Sequence, residues 1–219
     1  MEVLPSPPES TEGIQVESTP VKEISLLAPD HIPEELLTEG AAYWPLALRE
    51  AASNLLRFNQ MLETLLAFSL VKRLSEDRML SLHYLVQIVP MERMEAEVHS
   101  IWAQRIVRAM HALFPVDTQD VATWPRCLRY LEQVEACSVL IEQQKMLLPE
   151  AGDLLDRAGT YFREHMEYTQ AEPLYRRALA IREQSLGPEH PYTANALSNL
   201  ANLYLAQTPV SIFWEQRTR

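Results

Sequence analysis

The chain has little glycine and little cysteine, with 5 and 2 among 219 residues. No glycine is followed by lysine, so there is no G-x-x-x-x-G-K-[ST] loop to cradle a phosphate. Nor is there an H-E-x-x-H pair for zinc or a G-x-S-x-G turn for a nucleophilic serine. Cys127 and Cys137 stand ten apart in a stretch of helical character. That spacing builds neither a metal knuckle nor a disulfide framework, so both read as buried thiols in a reducing compartment. Aromatics make up only 8%, which with the scarce glycine favours helix over sheet. Positive charge is also short: 19 Lys and Arg against 30 Asp and Glu leave a net charge of −11. This disfavours a nucleic-acid or anionic-membrane surface. The longest near-apolar run, Leu65 to Val71, is far too short to span a bilayer. The N-terminus lacks the basic, apolar, small-residue order of a secretory signal. These absences point to a cytoplasmic, mainly α protein that is not an enzyme and has no cofactor, metal or membrane partner.

What is present is a repeat. Shifted by 42 residues, Leu155 falls on Leu197, Gly159 on Ala201 and Phe162 on Tyr204. These are the large, small and aromatic positions of a first helix, and Ala171, Tyr175 and Ala178 supply the second. Small residues let two helices approach while aromatics fill the groove between them. The second helix is expected to start at a Thr169-x-x-Glu172 capping box, with Pro173 in its first turn. Leu186-Gly187-Pro188 should stop it and Pro191 start the next. AEPLYRRALAIRE and LGPEHP resemble the 42-residue tetratricopeptide repeat of kinesin light chains and bacterial repeat proteins. One full repeat and the first helix of a second are expected over residues 151–207.

Upstream, residues 1–23 are rich in Pro, Ser, Thr and Glu, too poor in apolar groups to offset ordering entropy, and are read as a disordered tail. Residues 24–90 form an apolar block. Pro33-Glu34-Glu35 looks like a helix start. Leu55, Leu56, Met61, Leu62, Leu65, Leu66 and Phe68 mark an apolar helix. Residues 69–74, a polar turn at 75–78 and residues 79–82 read as a β-hairpin. Lys72, Arg73 and Arg78 decorate that hairpin and are expected to be solvated. Residues 91–150 are a helical connector. In its first helix Val98, Ile101, Trp102, Ile106, Ala109, Met110 and Leu113 form an apolar stripe flanked by His99 and His111, both read as solvated or structural. Residues 208–219 are a short tail.

Helix, helix and a two-stranded wing is the order of a winged helix. APDHIPEELLTEGA, LLAFSLVKR and MLSLHYLVQ resemble the winged-helix segment that follows the NB-ARC ATPase core in bacterial signalling NTPases. There, a helical linker like TWPRCLRYL…LPEAGDLLDRAG leads into tetratricopeptide repeats. The resemblance implies a mainly α fold: a winged-helix-like domain with a small β-hairpin, a helical linker and repeat hairpins. It also implies that His83 occupies the place of the family histidine that contacts the β-phosphate of bound ADP, although Tyr84 replaces the acidic residue of that motif. Without a phosphate loop, the expected role of His83 is instead to cap the helix after the wing. The ATPase core is missing, and after Gln207 the expected loop and second helix do not appear. The chain therefore reads as a truncated or split member of the family. Its expected function is non-enzymatic binding of a protein or peptide, with a separate ATPase chain as one candidate partner. The alternative is a winged-helix regulator that binds DNA.

Overall fold

The computed structural model describes residues 25–74, 76–83, 86 and 95–207. The expected N-terminal tail, Tyr84 and the tail at 208–219 lie outside these residues. The fold is mainly α with a small three-stranded sheet and paired C-terminal helices. Strand β1 (Ile32–Pro33) leads directly into α1 (Glu34–Thr38), and a 3-10 helix follows over Glu39–Tyr43. Pro33 fixes an extended entry with φ −65°, and Glu34 and Glu35 lie in the first turn, as the sequence suggested. Then come α2 (Leu46–Ala52) and α3 (Leu55–Ala67). Asn54 caps α3, its side-chain oxygen accepting from the N–H groups of Leu56 and Arg57 at 3.0 and 3.2 Å. Strands β2 (Val71–Leu74) and β3 (Met79–Leu82) form the expected antiparallel hairpin. β1 pairs with the other edge of β3, giving the order β1-β3-β2. Two residues are too few to show a period of two, so this third strand left no sequence signal.

Burial corrects the expected apolar faces. On α3 the core side is Phe58, Leu62 and Leu65, whereas Leu55, Leu56 and Phe68 are exposed. In α4 (Ala96–Leu113) the buried stripe is Trp102, Ala103, Ile106, Val107, Ala109, Met110 and Leu113. Val98 and Ile101, assigned to that stripe from the sequence, are exposed. The helix carries apolar residues on more than one side, and only contact selects among them. The 3-10 helix sits close on α4, since a Cβ on Gly40 would meet Ala109 Cβ at 3.4 Å. α5 (Trp124–Gln143) buries Cys127 and Cys137, both free thiols, and burial pushes the Cys137 thiol up to about 12. One buried apolar cluster runs from Leu26 through α4 and α5 to Ile181.

Two carboxylates, Glu34 buried and Glu35 partly so, tie the sheet into this core. The Glu34 side chain is 1% exposed, and Arg73 of β2 grips it with Nε 2.5 Å from Oε1 and Nη2 2.9 Å from Oε2. Arg78 lies 3.8 Å from the same carboxylate. Arg73 is therefore engaged inward, a correction to its reading as solvated, whereas Lys72 and Arg78 are exposed as the sequence reading had them. Next to Glu34, Glu35 takes a bidentate grip from Arg129 of α5. Burial opposes ionisation of Glu35, but the hydrogen bonds and charge of Arg129 outweigh it and hold the carboxyl below its ordinary value. Gln133 of α5, fully buried, accepts from the Ala28 N–H at 3.0 Å and donates to Asp30 O at 3.1 Å.

The C-terminal helices are α6 (Pro149–Glu164), α7 (Tyr168–Leu186) and α8 (Pro191–Gln207). α7 stops at Gly187, whose φ of 92° suits glycine, and α8 starts at Pro191. The capping box is not formed. The helix is capped two residues earlier, at Glu167, whose carbonyl accepts from the N–H groups of Gln170 and Ala171, and Pro173 lies inside the helix. Glu172 instead accepts from Arg176 and Tyr204. Tyr175 is fully buried, its hydroxyl donating to Thr160 Oγ1 at 2.9 Å. Its ring lies flat over Gly159, where a Cβ would come within 3.0–3.2 Å of ring carbons.

Three outcomes follow. Gly159→Ala should destabilise the chain by about 1–2 kcal/mol, because the pinned ring must be pushed back. Gly152→Ala meets only contacts of 3.4 Å and longer and gains helix propensity, so it should be neutral or stabilising. Urea melts of the two variants read the difference directly. Arg73→Ala leaves the Glu34 carboxylate buried and unmatched and should cost about 3–5 kcal/mol, whereas the double change Arg73→Met with Glu34→Leu should cost much less. For pH, Glu35 is depressed when folded. Its contribution is complete above the ordinary value of 4.5 and is lost as pH falls below it. Acid titration followed by circular dichroism should show this loss in the native chain and a smaller one in Arg129→Met.

Candidate functional site

The C-terminal helices bring together polar residues that their sequence positions leave scattered. On α6, Asp153, Asp156, Arg157 and Thr160 fall three or four residues apart and so share one side of the helix. From α8, Asn199 donates to both oxygens of Asp156 at 3.0 and 3.1 Å. From α7, the buried Arg182 reaches Asp156 Oδ2 at 3.4 Å, Asp153 Oδ1 at 3.5 Å and the Tyr192 carbonyl at 3.3 Å. From α4, His111 places Nε2 at 2.9 Å from Asp153 Oδ2, and Arg157 pairs with the same aspartate. Four helices thus converge on two carboxylates. Burial works against the charge on Asp153, but the His111 hydrogen bond and the charges of Arg157, His111 and Arg182 hold it below its ordinary value.

Two hollows lie along successive turns of α6. One, of about 310 Å³, is bounded by Asp153, Asp156, Arg157 and Thr160 and by the loop at Asp117 and Thr118. Thr118 is buried and donates to the Arg157 carbonyl at 3.0 Å, which fixes that loop against the helix. The other, of about 430 Å³, is bounded by Arg163, Glu164, Met166, Tyr168, Asn202 and Ala206. The first lies between α6 and the loop at 116–119 and is lined by carboxylate, guanidinium and hydroxyl groups; the second is a trough between α6 and α8 whose lining mixes polar groups with Met166 and Ala206. Such a surface can satisfy an extended polypeptide by side-chain hydrogen bonds. Among the described residues no thiol or hydroxyl is hydrogen-bonded to His111, and no cluster of three His, Cys, Asp or Glu could hold a metal ion.

The residues singled out from the sequence are placed as follows. Leu155, Gly159, Ala171, Tyr175 and Ala178 are buried between α6 and α7, and Phe162 is half-buried. Leu197, Ala201 and Tyr204 are exposed on α8, and the Tyr204 hydroxyl is bonded to Arg176 and Glu172 of α7. α8 instead packs through Thr193, Ala196 and Leu203. His83 is exposed; its N–H donates to Leu70 O at 2.9 Å and its carbonyl accepts from Val86 N at 2.8 Å. His99 is bonded to Gln144 at 3.1 Å across the connector. Asp153, Asp156, Arg182 and Asn199 were missed by sequence reasoning. The available signal was the Asp153–Arg157 spacing of four, which suits a paired helix face.

Residues 150–208 match the tetratricopeptide repeat model. Residues 18–99 match a domain of unknown function, DUF7779. A nucleotide-binding leucine-rich repeat (NLR)-like protein of Hyaloscypha variabilis is 26% identical over 143 residues, covering 64% of this chain and 14% of that protein. The chain thus spans a small part of that relative's length. No solved structure matches. No helix among the described residues is long and apolar enough to cross a membrane. The C-terminal helical hairpins are of the tetratricopeptide repeat kind.

Proposed function

We propose that this chain is a non-enzymatic protein-interaction module from an NLR-like signalling protein. In this reading a winged-helix-like block at 24–90 and a helical linker at 91–150 carry repeats at 151–207, and the trough along α6 takes a polypeptide partner in the cytoplasm. The observation that carries it is the tetratricopeptide repeat match over residues 150–208, laid on helices whose open side is that trough. Leu155, Gly159, Phe162, Ala171, Tyr175 and Ala178 close the first repeat, and Leu197, Ala201 and Tyr204 begin the next. The order of strand, helices and hairpin supports the winged-helix assignment, and a relative named as nucleotide-binding fits an NTPase setting. An ATPase is one candidate partner of this module. His83 then serves the backbone beside the hairpin rather than a nucleotide. The DNA-binding alternative is disfavoured by Arg73, which is paired with Glu34, and by the net charge of −11.

Display of random extended peptides on the native chain tests the reading. Selected peptides should lose at least about tenfold in affinity toward Asn202→Arg, which fills the larger hollow. Equal affinity for both proteins would move the binding site elsewhere. Duplex DNA binding that falls steeply with salt would favour the regulator instead. Titration with ATP or ADP in magnesium should give no binding heat; a micromolar complex would restore His83 as a ligand.

A further inference from the structure

At His111 one ring nitrogen faces two partners of opposite kind. Its Nε2 lies 2.9 Å from Asp153 Oδ2, which as a carboxylate only accepts, and 3.2 Å from Arg157 Nη2, which only donates. A single nitrogen cannot serve both. With a hydrogen on it, Nε2 donates to Asp153; without one, it accepts from Arg157. Arg157 also pairs with Asp153 and donates to the His111 and Phe114 carbonyls of the connector at 3.2 and 3.4 Å. The connector and the repeat helices therefore meet at a group whose bonding depends on where one proton sits.

The surrounding charges decide what a second proton on the ring does. Asp153, Asp156 and Arg157 come from α6, and Arg182 of α7 bridges the two aspartates. α8 brings only the neutral Asn199. On α4, Arg108 is paired with Glu150. On α5, Arg126 and Arg129 are taken by Glu39 and Glu35. Two carboxylates thus meet two guanidinium groups, and a charged His111 adds a third cation 3.2 Å from Arg157. The His111 side chain is 24% exposed, so water screens that repulsion only in part. Across the 310 Å³ hollow stands Asp117, which has no cation on it among the described residues and whose Oδ1 accepts from the N–H groups of Gln119 and Asp120. We infer that His111 is a proton-operated joint between the connector and the repeats. While the ring is neutral, Nε2 accepts from Arg157. When the ring gains its second proton it takes Asp153, and Arg157 crosses the hollow to Asp117. The arginine exchanges its bonds to α4 for one to the loop at 116–119, and its guanidinium fills the hollow. This goes beyond the partner-binding reading and does not rest on it.

Heteronuclear NMR of the full chain at about pH 8 and about pH 5, the range in which histidine changes charge, tests the joint. The Arg157 side-chain N–H signals should move between the two, together with the backbone N–H signals of Gln119 and Asp120, which report on Asp117. His111→Gln has no titrating proton and should lose this movement while keeping its helical circular dichroism. Asp117→Asn, at an exposed position, keeps an oxygen for both N–H groups but removes the charge that receives Arg157. It should silence Gln119 and Asp120 and leave the Arg157 signals responding. Arg157 signals that are identical at the two pH values in the native chain overturn the inference. So does movement that persists in His111→Gln, since it would then come from another group such as His165, whose ring stacks on Trp124 with centroids 4.1 Å apart. Arg157 signals that move while Gln119 and Asp120 stay still in the native chain overturn Asp117 as the destination and with it the filling of the hollow.

Discussion

The flat contact between the Tyr175 ring and Gly159 sets the geometry of the C-terminal half. An added Cβ would lie 3.0–3.2 Å from the ring, so any side chain here would have to push the ring back by a few tenths of an ångström. The ring is pinned from its far end by the hydrogen bond to Thr160. The ring thus holds α7 at a fixed height over α6, and α8 then packs on both. Because α6 and α8 stand at a fixed separation, Asn199 can reach both oxygens of Asp156, and the trough between them keeps its shape. A larger residue at 159 would spread the helices and move every polar group that borders the trough.

The N-terminal half is held by a different kind of force. Apolar burial places the sheet against the helices but does not fix how the hairpin is turned. Glu34 does that by drawing Arg73 inward, and Glu35 and Gln133 then lock the strand to α5 through Arg129 and backbone bonds. Paired buried carboxylates contribute less to net stability than to specifying one arrangement among several of similar burial.

The same logic joins connector to repeats. His111, Arg157 and Arg182 all meet Asp153, so the polar cluster on α6 joins the connector to the repeat helices.

The sequence by itself determined the helical class, the hairpin between Val71 and Leu82, the glycine stop at Gly187 and the large–small–aromatic order of the repeat. These features are local: periodicity, turn chemistry and caps depend on residues within a few positions of each other. The tertiary structure decided the rest. Leu55, Leu56, Val98 and Ile101 are as apolar as their buried neighbours, and only the presence of an opposing element determines which side is covered. The Thr169 box did not form because the helix is capped two residues earlier, where the Glu167 carbonyl accepts from Gln170 and Ala171. The pairings of Arg73 with Glu34 and of Asn199 with Asp156 span 39 and 43 residues of chain. No local pattern encodes such distances, because they exist only once the backbone has closed.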